Sequence, residues 1–103
     1  MAILADDVAF VGDGTATVNI TNTFGNVITA VYTTPTQPGT VELFHVDGNG
    51  NAHSLGTAVA VSANAEDIQV VAFPMNNLRI TYTNNNTTAG TVLIEAYARS
   101  VMK

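Results

Sequence analysis

His45 and His53 are the only imidazoles in the chain, and they flank the run Asp47-Gly48-Asn49-Gly50-Asn51. Those residue types do joint chemistry only if a hairpin folds the two histidines face to face. Asn49-Gly50 is the strongest short signal for such a hairpin. A two-residue loop sets His53 opposite Val46 and leaves the imidazoles on opposite faces of the ribbon. A three-residue loop sets His45 opposite His53, with Asp47 and Asn51 beside them. Only the second geometry can hold a metal ion, and two imidazoles with one carboxylate fall short of a good ligand set. The expectation is a solvated hairpin and no metal.

The same run resembles the start of a calcium loop. That loop needs Gly at its sixth position and Glu at its twelfth, where this chain has Ala52 and Ala58. A turn is the better reading. Asp6-Asp7 and Glu66-Asp67 are adjacent carboxylates whose side chains diverge in extended chain, which suits solubility more than general acid–base work. Ser54, Ser62 and Ser100 lie in no nucleophile motif. Gly12-Asp13-Gly14 reads as a turn, because no helix follows to cradle a phosphate. The chain is therefore expected not to be an enzyme and to need no cofactor.

The elements that position these residues are strands. Turn signals recur at short intervals: Gly12 to Gly14, Phe24 to Asn26, Pro35 to Gly39, Asp47 to Asn51, Ser62 to Asp67, Pro74 to Asn77 and Asn84 to Gly90. Between them lie β-branched, alternating runs without a helical period. Strands are expected near 8–11, 15–23, 26–34, 40–47, 52–62, 67–73, 77–83 and 90–99. About eight short strands make an all-β, single-domain, two-sheet antiparallel sandwich of jelly-roll or immunoglobulin-like type. It spans residues 1–103, with 1–7 as an N-terminal arm.

Alternation is clearest in two places. Ala16, Val18 and Ile20 oppose Thr15, Thr17, Asn19 and Thr21, and Leu78, Ile80 and Tyr82 oppose Arg79, Thr81 and Thr83. Threonine is β-branched and tolerates water, so it coats an outer face without weakening the strand. If Thr83 faces Thr91 in a closing hairpin, Tyr82 meets Val92, Ile80 meets Ile94 and Leu78 meets Ala96. Arg79 then faces Glu95 as a cross-strand ion pair. By contrast, 27–32 and 68–73 are apolar on both faces and need a second cover. That cover is a loop, the N-terminal arm or another subunit.

Composition narrows the function classes. Of 103 residues, 11 are Asp, Glu, Lys or Arg, whereas 26 are Thr or Asn. Soluble domains usually carry about a quarter of their residues as charge. With net charge −5 and only Arg79, Arg99 and Lys103 as cations, the chain lacks a phosphate-binding patch. Nucleic acid and anionic membrane surfaces are disfavoured as partners. No run reaches the roughly 18 apolar residues of a membrane span. If Met1 is the true start, the N-terminus has no basic region and is broken by Asp6 and Asp7, so no signal peptide is expected. Asn84, Asn85 and Asn86 support an alternative reading, a glycan- or receptor-binding loop of a tail, fibre or cell-surface module. Sugar platforms usually carry exposed aromatic faces, and the chain has no Trp.

The segment from Pro74 to Ala98, PMNNLRITYTNNNTTAGTVLIEAYA, resembles the terminal hairpin of small β-sandwich proteins from tailed-phage virions. The carrying pattern is a Pro-containing turn, an LRI-x-YTN strand, an Asn/Gly/Thr loop and an alternating closing strand. The apolar run Ile68 to Phe73 before it is also similar. The resemblance implies a virion structural protein, foremost a capsid decoration (cement) protein binding between capsomers. It implies contacts with the major capsid protein or other virion proteins, a homo-oligomer with a trimer favoured, and residence in the virion after synthesis in the host cytoplasm. On that reading the interface draws on Ile3, Leu4, Val27, Val31, Tyr32, Val71 and Phe73.

Overall fold

β-Branched and aromatic residues separated by Gly, Pro and Asn produce nine strands among the described residues. They are β1 (Ala2–Phe10), β2 (Thr15–Thr21), β3 (Asn26–Pro35), β4 (Gly39–Val46), β5 (Ala52–Ser54), β6 (Val59–Val61), β7 (Asp67–Met75), β8 (Asn77–Asn84) and β9 (Gly90–Ser100). The computed structural model describes residues 2–12, 14–21, 26–75 and 77–100, with side chains for 9–12, 14–20, 27–71 and 77–97. The fold is an all-β sandwich of two antiparallel sheets. One sheet has the order β1-β9-β3-β7, and the other runs β2-β8-β4-β5 with β6 also pairing β4. The chain changes sheet at every connection except β4 to β5 and β5 to β6.

The inward half of each alternating strand forms one core. Ile28 and Val31 from β3, Val41 from β4, Ile80 and Tyr82 from β8, and Val92 from β9 are fully buried. Each such aliphatic side chain contributes about 1.5–3 kcal/mol by leaving water. Tyr82 is the largest of them; its ring packs 4.9 Å from that of Phe10, and its hydroxyl donates to the Gln37 carbonyl. Burial pushes its phenol above the ordinary value. Gly39 makes this packing possible, because a Cβ there would lie 2.8 Å from the Tyr82 ring and 2.1 Å from the Thr83 carbonyl oxygen. Among the described residues one buried polar group is uncompensated: the hydroxyl of fully buried Thr33 has no hydrogen-bond partner.

The expected closing hairpin is corrected. Leu78, Ile80, Tyr82, Val92, Ile94 and Ala96 do share the core, but they meet across the two layers and not along one ladder. Thr83 pairs with Thr15 of β2 and Thr40 of β4, not with Thr91. Arg79 lies opposite Asn19 and Phe44, while Glu95 lies opposite Ala5 and Tyr32 in the other sheet, so the Arg79–Glu95 ion pair does not form. A period-two pattern specifies which face is buried and is silent on which sheet supplies the neighbour. The connection from Asn85 to Ala89 crosses the roughly 10 Å between layers.

Two boundaries also differ. Residues 2–7, expected as an arm, continue β1 and pair with β9 from Ala2↔Ala98 to Phe10↔Gly90. The run 52–62 divides into β5 and β6, which pair with opposite ends of β4. Between them Gly56 adopts a positive φ of 150°, and the Ser54 hydroxyl donates to its carbonyl. That local turn ends one ladder before the next begins.

Candidate functional site

The histidine hairpin takes the three-residue form. His45 pairs with His53 and Val46 with Ala52, the Asp47 amide donates to the Asn51 carbonyl, and Gly48 to Gly50 make the loop. The Gly50 amide donates to the Asp47 carbonyl and Gly50 has a φ of +83°. This is a type I turn followed by a left-handed residue, where glycine carries no Cβ penalty. It displaces the two-residue loop that Asn-Gly favours because the Asp47 side chain organises the longer one. Asp47 Oδ1 accepts from the Asn49 and Asn51 amides at 2.9 and 3.0 Å, and Oδ2 pairs with His53 Nε2 at 2.8 Å.

The His53 hydrogen bond, followed by that from the Asn51 amide, holds the Asp47 carboxyl down at about 2 against a small opposing effect of desolvation. The His45 and His53 rings lie 6.4 Å apart at 28°. Among the described residues, no three His, Cys, Asp or Glu side chains converge as metal ligands. The carboxylate that a metal would need is already engaged by two amides and an imidazole. The cluster locks a turn.

The Asn84–Asn86 loop is likewise turned inward. Asn84 is 3% exposed; its amide donates to the carbonyls of Val11 and Thr88, and its oxygen accepts from the Asn86 amide. Asn86 donates to Gln37 Oε1 at 2.7 Å and accepts from the Thr88 amide. These contacts pin the crossing from β8 to β9. Asn85 alone of the three has an exposed side chain.

The outer faces of the two sheets carry opposite chemistry. On β2-β8-β4 the cross-strand rows are Thr15–Thr83–Thr40, Thr17–Thr81–Glu42 and Asn19–Arg79–Phe44. Thr17 and Thr81 hydroxyls lie 3.5 Å apart, and Arg79 Nε donates to Asn19 Oδ1 at 2.9 Å. This is the hydroxyl and amide coat expected from the alternation of 15–21 and 78–83. On β9-β3-β7 the rows are Tyr97–Ala30–Val70 and Glu95–Tyr32–Ile68, with Leu93–Thr34 beside them. Ile68 is 57% and Val70 78% exposed. The two runs that read as apolar on both faces are hydrogen-bonded neighbours, so their outward halves merge into one patch.

Within that patch the sequence-derived residues divide. Tyr32 and Val27 are half-buried, whereas Val31 is fully buried and Val71 is 6% exposed, both in the core. The side chains of Ile3, Leu4 and Phe73 lie outside the described residues. Ile68 and Val70, exposed on β7, were missed. Their parity was masked because polar Gln69 shares the inward-facing set with Val71, at the rim of the sandwich. The usable signal was the pairing with β3, where Tyr32 and Ile68 stand opposite one another.

No protein-family model matches the chain. No curated protein matches it in sequence either. Several solved structures share its fold. PirA is 17% identical, with a TM-score of 0.64 over 90% of this chain and 93% of that one. The PBSX exported protein XepA is 19% identical, with a TM-score of 0.70 over 97% of this chain. This chain spans only 38% of XepA's length. The Yersinia pseudotuberculosis-derived mitogen is 12% identical, with a TM-score of 0.60 over 99% of this chain and 90% of the mitogen. At these identities the likeness is one of fold: a β-sandwich used by otherwise dissimilar proteins.

Proposed function

We propose that this chain is a virion structural protein, specifically a capsid decoration protein, that docks on the major capsid protein or a neighbouring virion protein. The outer face of β9-β3-β7 carries the reading. A patch containing Tyr32, Tyr97, Ile68 and Val70, with Glu95 the one charged member among the described side chains, matches the charge-depleted, aromatic-rich centre of an interface. Further support comes from the sequence pattern of Pro74 to Ala98, although its two strands lie in different sheets, and from a fold shared with the PBSX exported protein XepA. Docking works by removing apolar area from water, which raises the free energy needed to separate the subunits it bridges. Catalysis has no part in this reading.

The test is co-sedimentation of the purified chain with tailed-phage heads stripped of accessory proteins. Saturable binding that Tyr32→Ala weakens about tenfold or more is expected, since aromatic anchors at interface centres carry most of the energy. A chain that stays in the supernatant, or binding that Tyr32→Ala leaves unchanged, contradicts the proposal. Capture on a glycan array abolished by Asn85→Ala would replace it with the sugar-binding reading.

A further inference from the structure

β7 is an edge strand: β3 is its only partner in the sheet, so one row of its backbone amides and carbonyls is unpaired among the described residues. Edge strands of monomeric proteins are usually blunted by lysine, proline, inward charges or a covering loop. In β7 these devices stand only at the ends, Asp67 and Pro74, and the run Ile68 to Phe73 between them is uncharged and without proline. Two of its outward side chains, Ile68 and Val70, are more than half exposed. An occupant must therefore be an extended strand that satisfies the backbone and brings apolar side chains to the same face.

We infer that the occupant is a second copy of this chain, paired antiparallel through β7 about a two-fold axis at Gln69. Directly opposite residues of an antiparallel pair share a face, so the axis must pass through a residue to keep outward side chains together. With the axis at Gln69, Ile68 meets the second copy's Val70 and Val70 meets its Ile68. The two most exposed positions of the strand cover each other, in an isologous contact of the commonest kind. The same register sets Asp67 opposite the second copy's Val71, four residues from the second copy's Asp67. That separation is about 13 Å along the strand, beyond the roughly 8 Å over which exposed charges act at physiological salt. An axis at Ile68 would halve it.

A chain of net −5 with three cations has no positive patch for an acidic strand, and the carboxylate of β7, Asp67, stands at its end, two residues from the proposed axis. The pairing joins two four-stranded sheets into one of eight strands, β1-β9-β3-β7 continued by its symmetry mate. The outward rows then run on across the axis, doubling the apolar face. This two-fold contact takes the place of the trimer that the virion resemblance implied. It draws on Ile68 and Val70, which also belong to the docking patch, and leaves the Tyr32 and Tyr97 side chains open.

The chain has no cysteine, so introduced thiols report the register directly. Opposite residues in an antiparallel pair have Cα atoms about 4.5–5.5 Å apart, within disulfide range. Ile68→Cys and Val70→Cys are made separately, then mixed and oxidised. The mixture is expected to give a covalent dimer, and neither variant alone should. Sedimentation of the unmodified chain across a concentration series is expected to reach about twice its 10.7 kDa mass. Val70→Lys should remain a single chain with unchanged β-sheet circular dichroism. Self-linking of Val70→Cys alone overturns the Gln69 axis. A single-chain mass at every concentration, or a Val70→Lys dimer as tight as the unmodified one, overturns the pairing and leaves the docking proposal standing.

Discussion

The outer face of β2-β8-β4 and the outer face of β9-β3-β7 cover the same core, yet one is threonine, asparagine and arginine and the other is isoleucine, valine and tyrosine. A chain with so few charges has two ways to treat its surface. The first sheet is finished by hydroxyls and amides that bond to one another and to water. The second leaves apolar area that water does not finish. The shortage of charge is thus two features in one chain, a hydroxyl and amide wall and an apolar wall, separated by the thickness of the sandwich.

Beneath these unlike outer faces, the inward halves of the two sheets share one core. Ile80 lies on the inward side of a coat strand and is fully buried. Ile80→Ala should cost about 2–5 kcal/mol in denaturant unfolding. A loss under about 1 kcal/mol would mean that the coated sheet is not anchored in the common core.

Thr33 inverts the comparison, with a hydroxyl on the inward side of the apolar sheet. Thr33→Val keeps the β-branched shape and removes a buried group without a partner, so stability should rise by about 1 kcal/mol. Destabilisation in the same unfolding measurement would show that the hydroxyl is bonded after all. On the coat, Arg79→Ala removes the bond to Asn19 and should shift stability by no more than about 0.5 kcal/mol. A larger loss would make that wall a stabilising network and not merely a wetted one.

The smallest effect belongs to the hairpin. Because the folded Asp47 carboxyl lies at about 2 and the unperturbed value is 3.8, the contribution of its hydrogen bonds is fully present above pH 3.8. It fades as pH falls through about 2, the direction linkage requires for a depressed carboxylate. Carboxyl carbon NMR should give an Asp47 midpoint near 2, and a midpoint near 3.8 would show that the His53 contact does not persist in solution.

Much of this was legible before any coordinates. Alternation in 15–21 and 78–83 identified both the coat and its buried counterpart, because a threonine outer face leaves an unbroken period of two. The apolar runs 27–32 and 68–73 marked the other wall for the converse reason. What stayed hidden is long-range. Nothing local says that β8 finds β2 and β4 while β9 finds β1 and β3, so a sound match of faces became a hairpin that does not exist. The parity of β7 was lost because an edge strand tolerates Gln69 on its inward side. The choice between two hairpin loops turned on Asp47, whose three contacts outweigh the preference of Asn-Gly for a tighter turn.

On the proposed function, the β9-β3-β7 wall makes contacts and the β2-β8-β4 wall only meets water. The direct measurement compares Tyr97→Ala on the apolar wall with Thr81→Ala on the coat, each titrated onto stripped tailed-phage heads and followed by co-sedimentation. Both positions lie mid-strand, away from the β7 edge, so self-pairing does not confound the result. Tyr97→Ala should weaken binding about tenfold or more, and Thr81→Ala should change it by no more than about twofold. Equal effects, or a larger one from the coat, would contradict the proposed function.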